Sequence, residues 1–290
     1  MTDNEPTVMI GRVMMNREVA PGIFLISFRL PDTFPTPAPG QFVMIKVGDG
    51  HDPLLRRPFS IHAFTRPEDH AVLGILYKVA GRGTRLLSSL LGDAAVSIMG
   101  PLGKGFTLIP ARKNILIVAG GMGLAPLAFL IQQYLDLIQR DPSHGGEWGH
   151  LFLQGVPRII CYIGAATADS LVELKKIEVC CEDVRISTDD GSCGYHGNVI
   201  ELFRRELAFY NPADAAIYAC GPAAMLKALA KIIPDGDFFC QVSMEERMAC
   251  GLGACLGCAV ARKDQAGQMT YQRVCKDGPV FNIRDVGWQT

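Results

Sequence analysis

The chain has 290 residues, 49% of them hydrophobic and 20% charged, with a formal net charge of -1. That length holds two or three cores, and that balance gives no basic field for nucleic acid or an anionic membrane surface. The N-terminus shows neither a basic segment nor an apolar one, so no secretory signal is expected, and ten cysteines without such a signal fit a reducing cytoplasm.

Residues 1–107 read as an antiparallel β-barrel. Short runs at 8–13, 23–30, 41–47, 59–63, 72–79 and 95–99 are separated by Gly and Pro turns, with one short helix at 84–91. Pro101-Leu102-Gly103-Lys104-Gly105 reads as a boundary. From residue 114 the texture changes to alternating strand and helix. Strands are predicted at 115–119, 159–164, 184–188, 216–220 and 238–243, and helices at 125–140, 170–177, 198–208 and 223–232. That alternation predicts a doubly wound α/β domain with a mostly parallel sheet over 108–243. The uncharged run 115–131 is interrupted by Gly120, Gly121, Gly123 and Pro126, so it reads as strand, turn and buried helix rather than a membrane span. Segment 141–157 breaks the rhythm and reads as a surface excursion. Residues 244–290 form a short third module.

Three pieces of the barrel carry related chemistry. In Arg56-Arg57-Pro58-Phe59-Ser60, Arg57 suits a pyrophosphate, and Ser60 suits the reactive edge of a flavin. In Leu76-Tyr77-Lys78, Tyr77 suits packing against a flavin ring or its ribityl chain. In Gly81-Arg82-Gly83-Thr84, Gly83 and Thr84 open a helix whose N–H groups suit the same anion as Arg57. Each piece alone has a plain structural reading, as a strand entrance or a turn. Together in one barrel they point to a flavin dinucleotide.

In the α/β domain, Gly120-Gly121-Met122-Gly123-Leu124-Ala125-Pro126 joins the first strand to the first helix. That is the place where a nicotinamide dinucleotide sets its pyrophosphate on a helix N-terminus, although Pro126 stands where a strict fingerprint has its third Gly. A tight strand-to-helix turn is the plain alternative. Cys220-Gly221-Pro222 ends a later strand at the carboxyl edge where such sheets bind ligands. This places Cys220 near the nicotinamide and the flavin, with a buried strand-end cysteine as the even alternative. Asp189 and Asp190 end another strand and suit the hydroxyls of an adenosine ribose. With no basic cluster beside them, NAD is preferred over NADP, and solvated loop acids are the plain alternative.

Cys250, Cys255 and Cys258 follow the spacing C-x4-C-x2-C, and Cys275 lies further on. That is the ligand spacing of a plant-type 2Fe–2S cluster. Gly251, Gly253 and Gly257 let the loop wrap tightly and aim N–H groups at sulfur. Zinc prefers two close pairs, and only one such pair is present. The other six cysteines (161, 180, 181, 193, 220, 240) read as small buried residues, Cys220 excepted.

The order barrel, α/β domain, RxxS, GxGT, GGxGxAP and CGP resembles the ferredoxin–NADP reductase superfamily over residues ~5–243. Glu245-Glu246-Arg247-Met248-Ala249-Cys250-Gly251, with the cysteine run after it, resembles the electron-transfer subunits of the dihydroorotate dehydrogenase B family. So do Asp189-Asp190-Gly191-Ser192 and Asp277-Gly278-Pro279-Val280-Phe281. The resemblance implies FAD on Arg57 to Ser60, Leu76 to Lys78, Gly83 and Thr84, and one 2Fe–2S cluster on the four named cysteines. It implies a separate FMN-bearing catalytic subunit in a heterotetramer of two copies each, working in pyrimidine biosynthesis. Electrons then pass from FMN through the cluster and FAD to NAD. The chain shows no acid–base set for dihydroorotate itself, which suits a subunit that only moves electrons. A reductase subunit serving ferredoxin, hydrogenase or sulfide chemistry is the alternative. Two departures stand out: segment 141–157 is longer than the family implies, and Cys193 replaces a small residue.

Overall fold

The computed structural model describes residues 7–48, 50, 52–139, 157–233, 238–263 and 268–288. The excursion at 141–157, Pro157 excepted, and the end of the helix expected at 125–140 lie outside them.

Seven antiparallel strands build the first domain: β1 (Thr7–Ala20), β2 (Ile23–Pro31), β3 (Phe42–Lys46), β4 (Arg57–Ser60), β5 (Ala63–Thr65), β6 (His70–Lys78) and β7 (Ala95–Leu102). Their order is β4-β3-β7-β1-β2-β6-β5. No ladder joins β4 to β5 among the described residues, so the sheet is barrel-like rather than closed. The chain itself spans the gap. The Ile61 N–H donates to Gln41 beside β3, and the next N–H, of His62, donates to Gly74 of β6. This switch divides the single strand expected at 59–63 into β4 and β5. Ile26, Phe28, Val43, Ile45 and Ile75 fill the interior, each contributing roughly 1.5–3 kcal/mol by leaving water.

The expected helix at 84–91 begins earlier, as α1 (Arg82–Ser88). The Thr84 hydroxyl accepts from the N–H groups of Ala80 and Gly81 at 2.9 and 3.0 Å and so caps the helix.

The second sheet contains β8 (Asn114–Gly120), β9 (Arg158–Ala165), β10 (Asp183–Thr188), β11 (Tyr195–His196), β12 (Ala215–Cys220) and β13 (Phe239–Ser243). All of these pair in parallel. Continuous apolar runs such as Ile115 to Ala119 are what a sheet covered on both faces requires. One cover is α2 (Leu124–Gln139) with α3 (Leu174–Cys180); the other is α4 (Val199–Glu206) with α5 (Ala223–Ile232). Helix α3 starts later than the expected 170–177. Asn198 caps α4 by accepting from the N–H groups of Ile200 and Glu201 at 3.1 and 3.0 Å. The stretch Gly121–Gln139 is apolar and long enough to cross a membrane, and half of it is buried inside the fold.

The third module adds the hairpin β14 (Ala259–Lys263) and β15 (Met269–Arg273), then α6 (Val274–Asp277) and β16 (Val280–Asn282). Strand β16 pairs antiparallel with β13, so the module completes the edge of the second sheet. Cys161, Cys181 and Cys240 are buried as expected of small apolar residues; Cys220, set apart in that expectation, is buried too, whereas Cys180 and Cys193 are only half-buried.

The first two domains are clasped by His62, which is 2% exposed. Its Nδ1 donates to the Ala125 carbonyl at 3.1 Å. Its Nε2 lies 2.7 Å from Glu173 Oε2, off the direction of an aligned hydrogen bond. Burial works against the Glu173 carboxylate, yet His62 and Lys176 hold it below the usual carboxylate range. Its contribution to stability is therefore present at neutral pH and fades as the pH falls through that lowered range.

Candidate functional site

A cleft of about 810 Å³ opens where the three parts meet. One wall is Pro58, Phe59, Ser60, Leu76, Tyr77 and Lys78 of the barrel-like sheet. The second is Met122 and Ala125, from the glycine turn and the start of α2. The third is the segment from Ser243 to Glu246 with Met248, which runs on into Cys250. Tyr77 is braced by Phe24, stacked at 5.9 Å, and by Phe59, edge-on at 5.7 Å. Burial raises its phenol above the usual range, so it meets the cleft as a neutral ring.

Arg57 lines an adjoining recess with Glu245 to Met248. A Cβ on Gly83 would lie 3.0 Å from Arg57 Nε, so the guanidinium rests against the first turn of α1. The two groups expected to share a pyrophosphate are thus side by side, although distant in sequence. Arg56 points elsewhere and donates to the carbonyl and hydroxyl of Ser97, both at 2.9 Å, joining β4 to β7. The Thr84 hydroxyl is spent on the cap, which leaves only its N–H for an anion. These features fit FAD: a basic fork, a bare helix start, and an aromatic wall.

A second cleft lies at the carboxyl ends of β8 and β12, where the strand order reverses. Gly120, Gly121, Asp189 and Pro222 line it. Gly123 does not; a Cβ there would fall 2.0 Å from the Cys220 carbonyl oxygen, so this glycine lets two strand ends touch. Gly221 is likewise closed in, by Met225. Asp190 turns away; its carboxylate accepts from Ser192 N and Oγ at 3.0 and 2.6 Å, which holds it below the usual range. Asp189 alone of the acidic pair faces the cleft. These features fit a dinucleotide set over the glycine turn.

Cys220 is 1% exposed and lines neither cleft. Burial and the nearby Glu245 carboxylate raise its thiol, while a hydrogen bond with Ser243 works the other way. Glu245 stands at the cleft mouth, and the surrounding protein raises its carboxyl. Sequence reasoning missed Glu245 and Met248 in the first cleft, and Gly164, Asn198 and Met225 in the second. Gly164 ends a predicted strand, and Asn198 opens a predicted helix. Those positions were the available signal.

The four module cysteines fall into two pairs. Side-chain contacts link Cys250 with Cys255 and Cys258 with Cys275. Among the described residues, no three His, Cys, Asp or Glu side chains converge on one metal ion. Two thiolate pairs are what a two-iron cluster asks of a protein. Burial alone would raise Cys250, but backbone N–H groups of Leu252, Cys255 and Ala254 and the Cys255 side chain bring it down to about 6. Cys250 therefore favours thiolate before any metal arrives, whereas burial and the neighbouring Cys258 raise Cys275. Cys258 and Cys275 are each 2% exposed, whereas Cys255 reaches solvent between Leu252 and Leu256.

A family model described as the iron-sulfur cluster binding domain of dihydroorotate dehydrogenase B matches residues 245–287, and one described as an oxidoreductase NAD-binding domain matches 117–231. A dihydroorotate dehydrogenase B (NAD(+)), electron transfer subunit, of Desulforamulus reducens is 37% identical over 285 residues, 97% of this chain and 99% of that one. The protein of that name from Caldanaerobacter subterraneus subsp. tengcongensis is 35% identical over 278 residues, 96% of this chain and 98% of that one. A solved NADH-dependent reduced ferredoxin-NADP oxidoreductase, studied for flavin-based electron bifurcation, aligns with TM-score 0.74 at 24% identity, covering 96% and 90% of the two chains. A ferredoxin NADP+ reductase from Neisseria gonorrhoeae with bound FAD and NADP aligns with TM-score 0.61 at 13% identity, covering 82% and 99%. These structural likenesses establish the fold, and the identities over nearly whole chains establish the kinship. The chain belongs to the family of dihydroorotate dehydrogenase B (NAD(+)) electron transfer subunits.

Proposed function

We propose that the chain takes electrons from the FMN of a dihydroorotate-oxidising partner subunit and delivers them to NAD, in the cytoplasm, as part of pyrimidine biosynthesis. The working assembly is a heterotetramer with two copies of each subunit. The observation that supports this most is the three-walled cleft. The flavin wall, the dinucleotide turn and the segment leading into Cys250 all border one space. FAD bound there supplies the exchange between a hydride and single electrons that no side chain provides.

The residues hold and orient. Arg57, with Gly83 and the first N–H groups of α1, holds the flavin pyrophosphate. Pro58, Phe59, Leu76 and Lys78 shape the cleft, Ser60 orients the reactive edge, and Tyr77 packs against the flavin. Gly120 and Gly121, at the head of the turn, receive the nicotinamide dinucleotide between Pro222 and Asp189. Cys220, a buried neutral thiol at the strand end beside Gly221, lies near the nicotinamide in this reading. Cys250, Cys255, Cys258 and Cys275 hold the cluster.

Two outcomes test this. The chain alone should reduce a dye with NADH and leave dihydroorotate untouched; turnover of dihydroorotate by the chain alone would sink the subunit reading. In stopped flow, NADH should reduce bound FAD about tenfold faster than NADPH at equal subsaturating concentration, because Asp189 repels a 2′-phosphate, a difference of ~1.4 kcal/mol. Equal rates would remove Asp189 from the specificity argument.

A further inference from the structure

Arg273 stands between the two cysteine segments. Its Nη1 donates to the Gly253 carbonyl at 3.1 Å. Its Nε and Nη2 donate to the two Asp277 oxygens at 3.0 and 3.3 Å, and its backbone N–H donates to Asp277 Oδ2 at 2.9 Å. Gly253 lies in the loop that carries Cys250, Cys255 and Cys258. Asp277 ends α6, which carries Cys275. One planar fork thus ties three expected ligands to the fourth, a geometry that suits Arg better than Lys. The approach is close because Gly253 has φ +81 and a Cβ there would lie 2.8 Å from Lys276 Cδ.

The Arg273 side chain is 32% exposed and that of Asp277 23%. Both charges therefore act through a medium less screening than bulk water. Lys276 packs on the same loop, and Lys104 faces Asp277. Net charge and hydrogen bonding around the sulfurs are among the levers that set a cluster's potential.

We propose that Arg273 is a positioning residue that sets the reduction potential of the 2Fe–2S cluster, opposed by the carboxylate of Asp277. The step concerned adds one electron to the four-thiolate site, with no bond made or broken. The donor is the partner's flavin or, in the test, dithionite. A neighbouring cation favours the more negative reduced form, and a neighbouring carboxylate disfavours it. The two residues should therefore move the potential in opposite directions, whereas a purely architectural pair would not.

The test is an anaerobic redox titration of the intact holoprotein followed by electron paramagnetic resonance. Arg273→Gln should lower the reduced-to-oxidised ratio at fixed potential about tenfold, ~59 mV for a one-electron couple. Asp277→Asn should raise it by a similar factor. Arg273→Lys keeps the charge and should titrate close to the unmodified protein. Shifts of the same sign, or none, overturn the proposal. If Arg273→Gln fails to hold a cluster, the contrast between Arg273→Lys and Asp277→Asn decides; loss of the cluster from Arg273→Lys as well overturns the electrostatic role. The inference rests on the ligand assignment above. An unmodified protein without a 2Fe–2S signal defeats that assignment, whereas a normal signal with unmoved potentials defeats only this inference.

Discussion

Cys255→Ser is expected to give a protein that keeps its FAD and loses its 2Fe–2S cluster. Loss of an outer hydrogen-bond partner alone typically costs about 10–100-fold in metal affinity, and loss of a ligand costs more. The flavin should be spared because Cys255 is exposed and lines neither cleft. The cluster loop meets the first domain elsewhere, where Gly251 lies against Met44; a Cβ there would be 2.7 Å from Met44 Cγ. Iron and labile sulfide should fall from two of each per chain in the unmodified protein to a small residue, while the flavin absorbance stays. Zinc without sulfide in the unmodified protein would refute the cluster. Loss of FAD together with iron would show that the module and the flavin cleft fold as one unit.

Gly123→Ala should cripple the proposed nicotinamide site. The added Cβ would meet only backbone: the Cys220 carbonyl oxygen at 2.0 Å, its carbon at 2.3 Å and Gly221 N at 2.7 Å. No flexible side chain is available to move aside, so the turn and the end of β12 must part. The expected cost is ~3 kcal/mol of stability, with NADH binding weakened at least about tenfold. Gly121 provides the control. It has φ +53 and nothing within 4 Å of a Cβ, so Gly121→Ala meets backbone strain alone, about 1 kcal/mol. Thermal melts of the two variants separate collision from strain. Equal behaviour would mean that the close contact at Gly123 does not matter to the fold.

The parts most legible in the sequence were those fixed by local chemistry. The buried parallel strands read as continuous apolar runs, and the cysteine spacing falls inside the segment that matches an iron-sulfur cluster binding domain. The parts that depend on distant approach were not legible. The length of β1 was hidden because Val8, Ile10 and Met14 face outward, at 58%, 55% and 51% exposure, and two register shifts break the alternation. The hairpin β14–β15 was missed for a similar reason, since Met269 and Tyr271 are exposed and leave no apolar face to recognise. Glu245 and Met248 belong to the first cleft only because the third module folds back across the other two. In the opposite direction, Asp190 had the right chemistry for a ligand but satisfies its own turn. No residue pattern distinguishes those uses before the turn is seen.

In the proposed function the chain links a partner's flavin to NAD through the cluster. Its most direct test is anaerobic mixing with an FMN-bearing, dihydroorotate-oxidising subunit, followed by the rate of dihydroorotate-dependent NAD reduction. The mixture should form NADH, and neither component alone should. Leu256→Glu places a charge beside the exposed end of the cluster loop, where Leu256 is 62% exposed. That variant should lose most of the coupled rate and keep its NADH–dye rate. A mixture that forms no NADH while both components hold their redox groups would rule out that link.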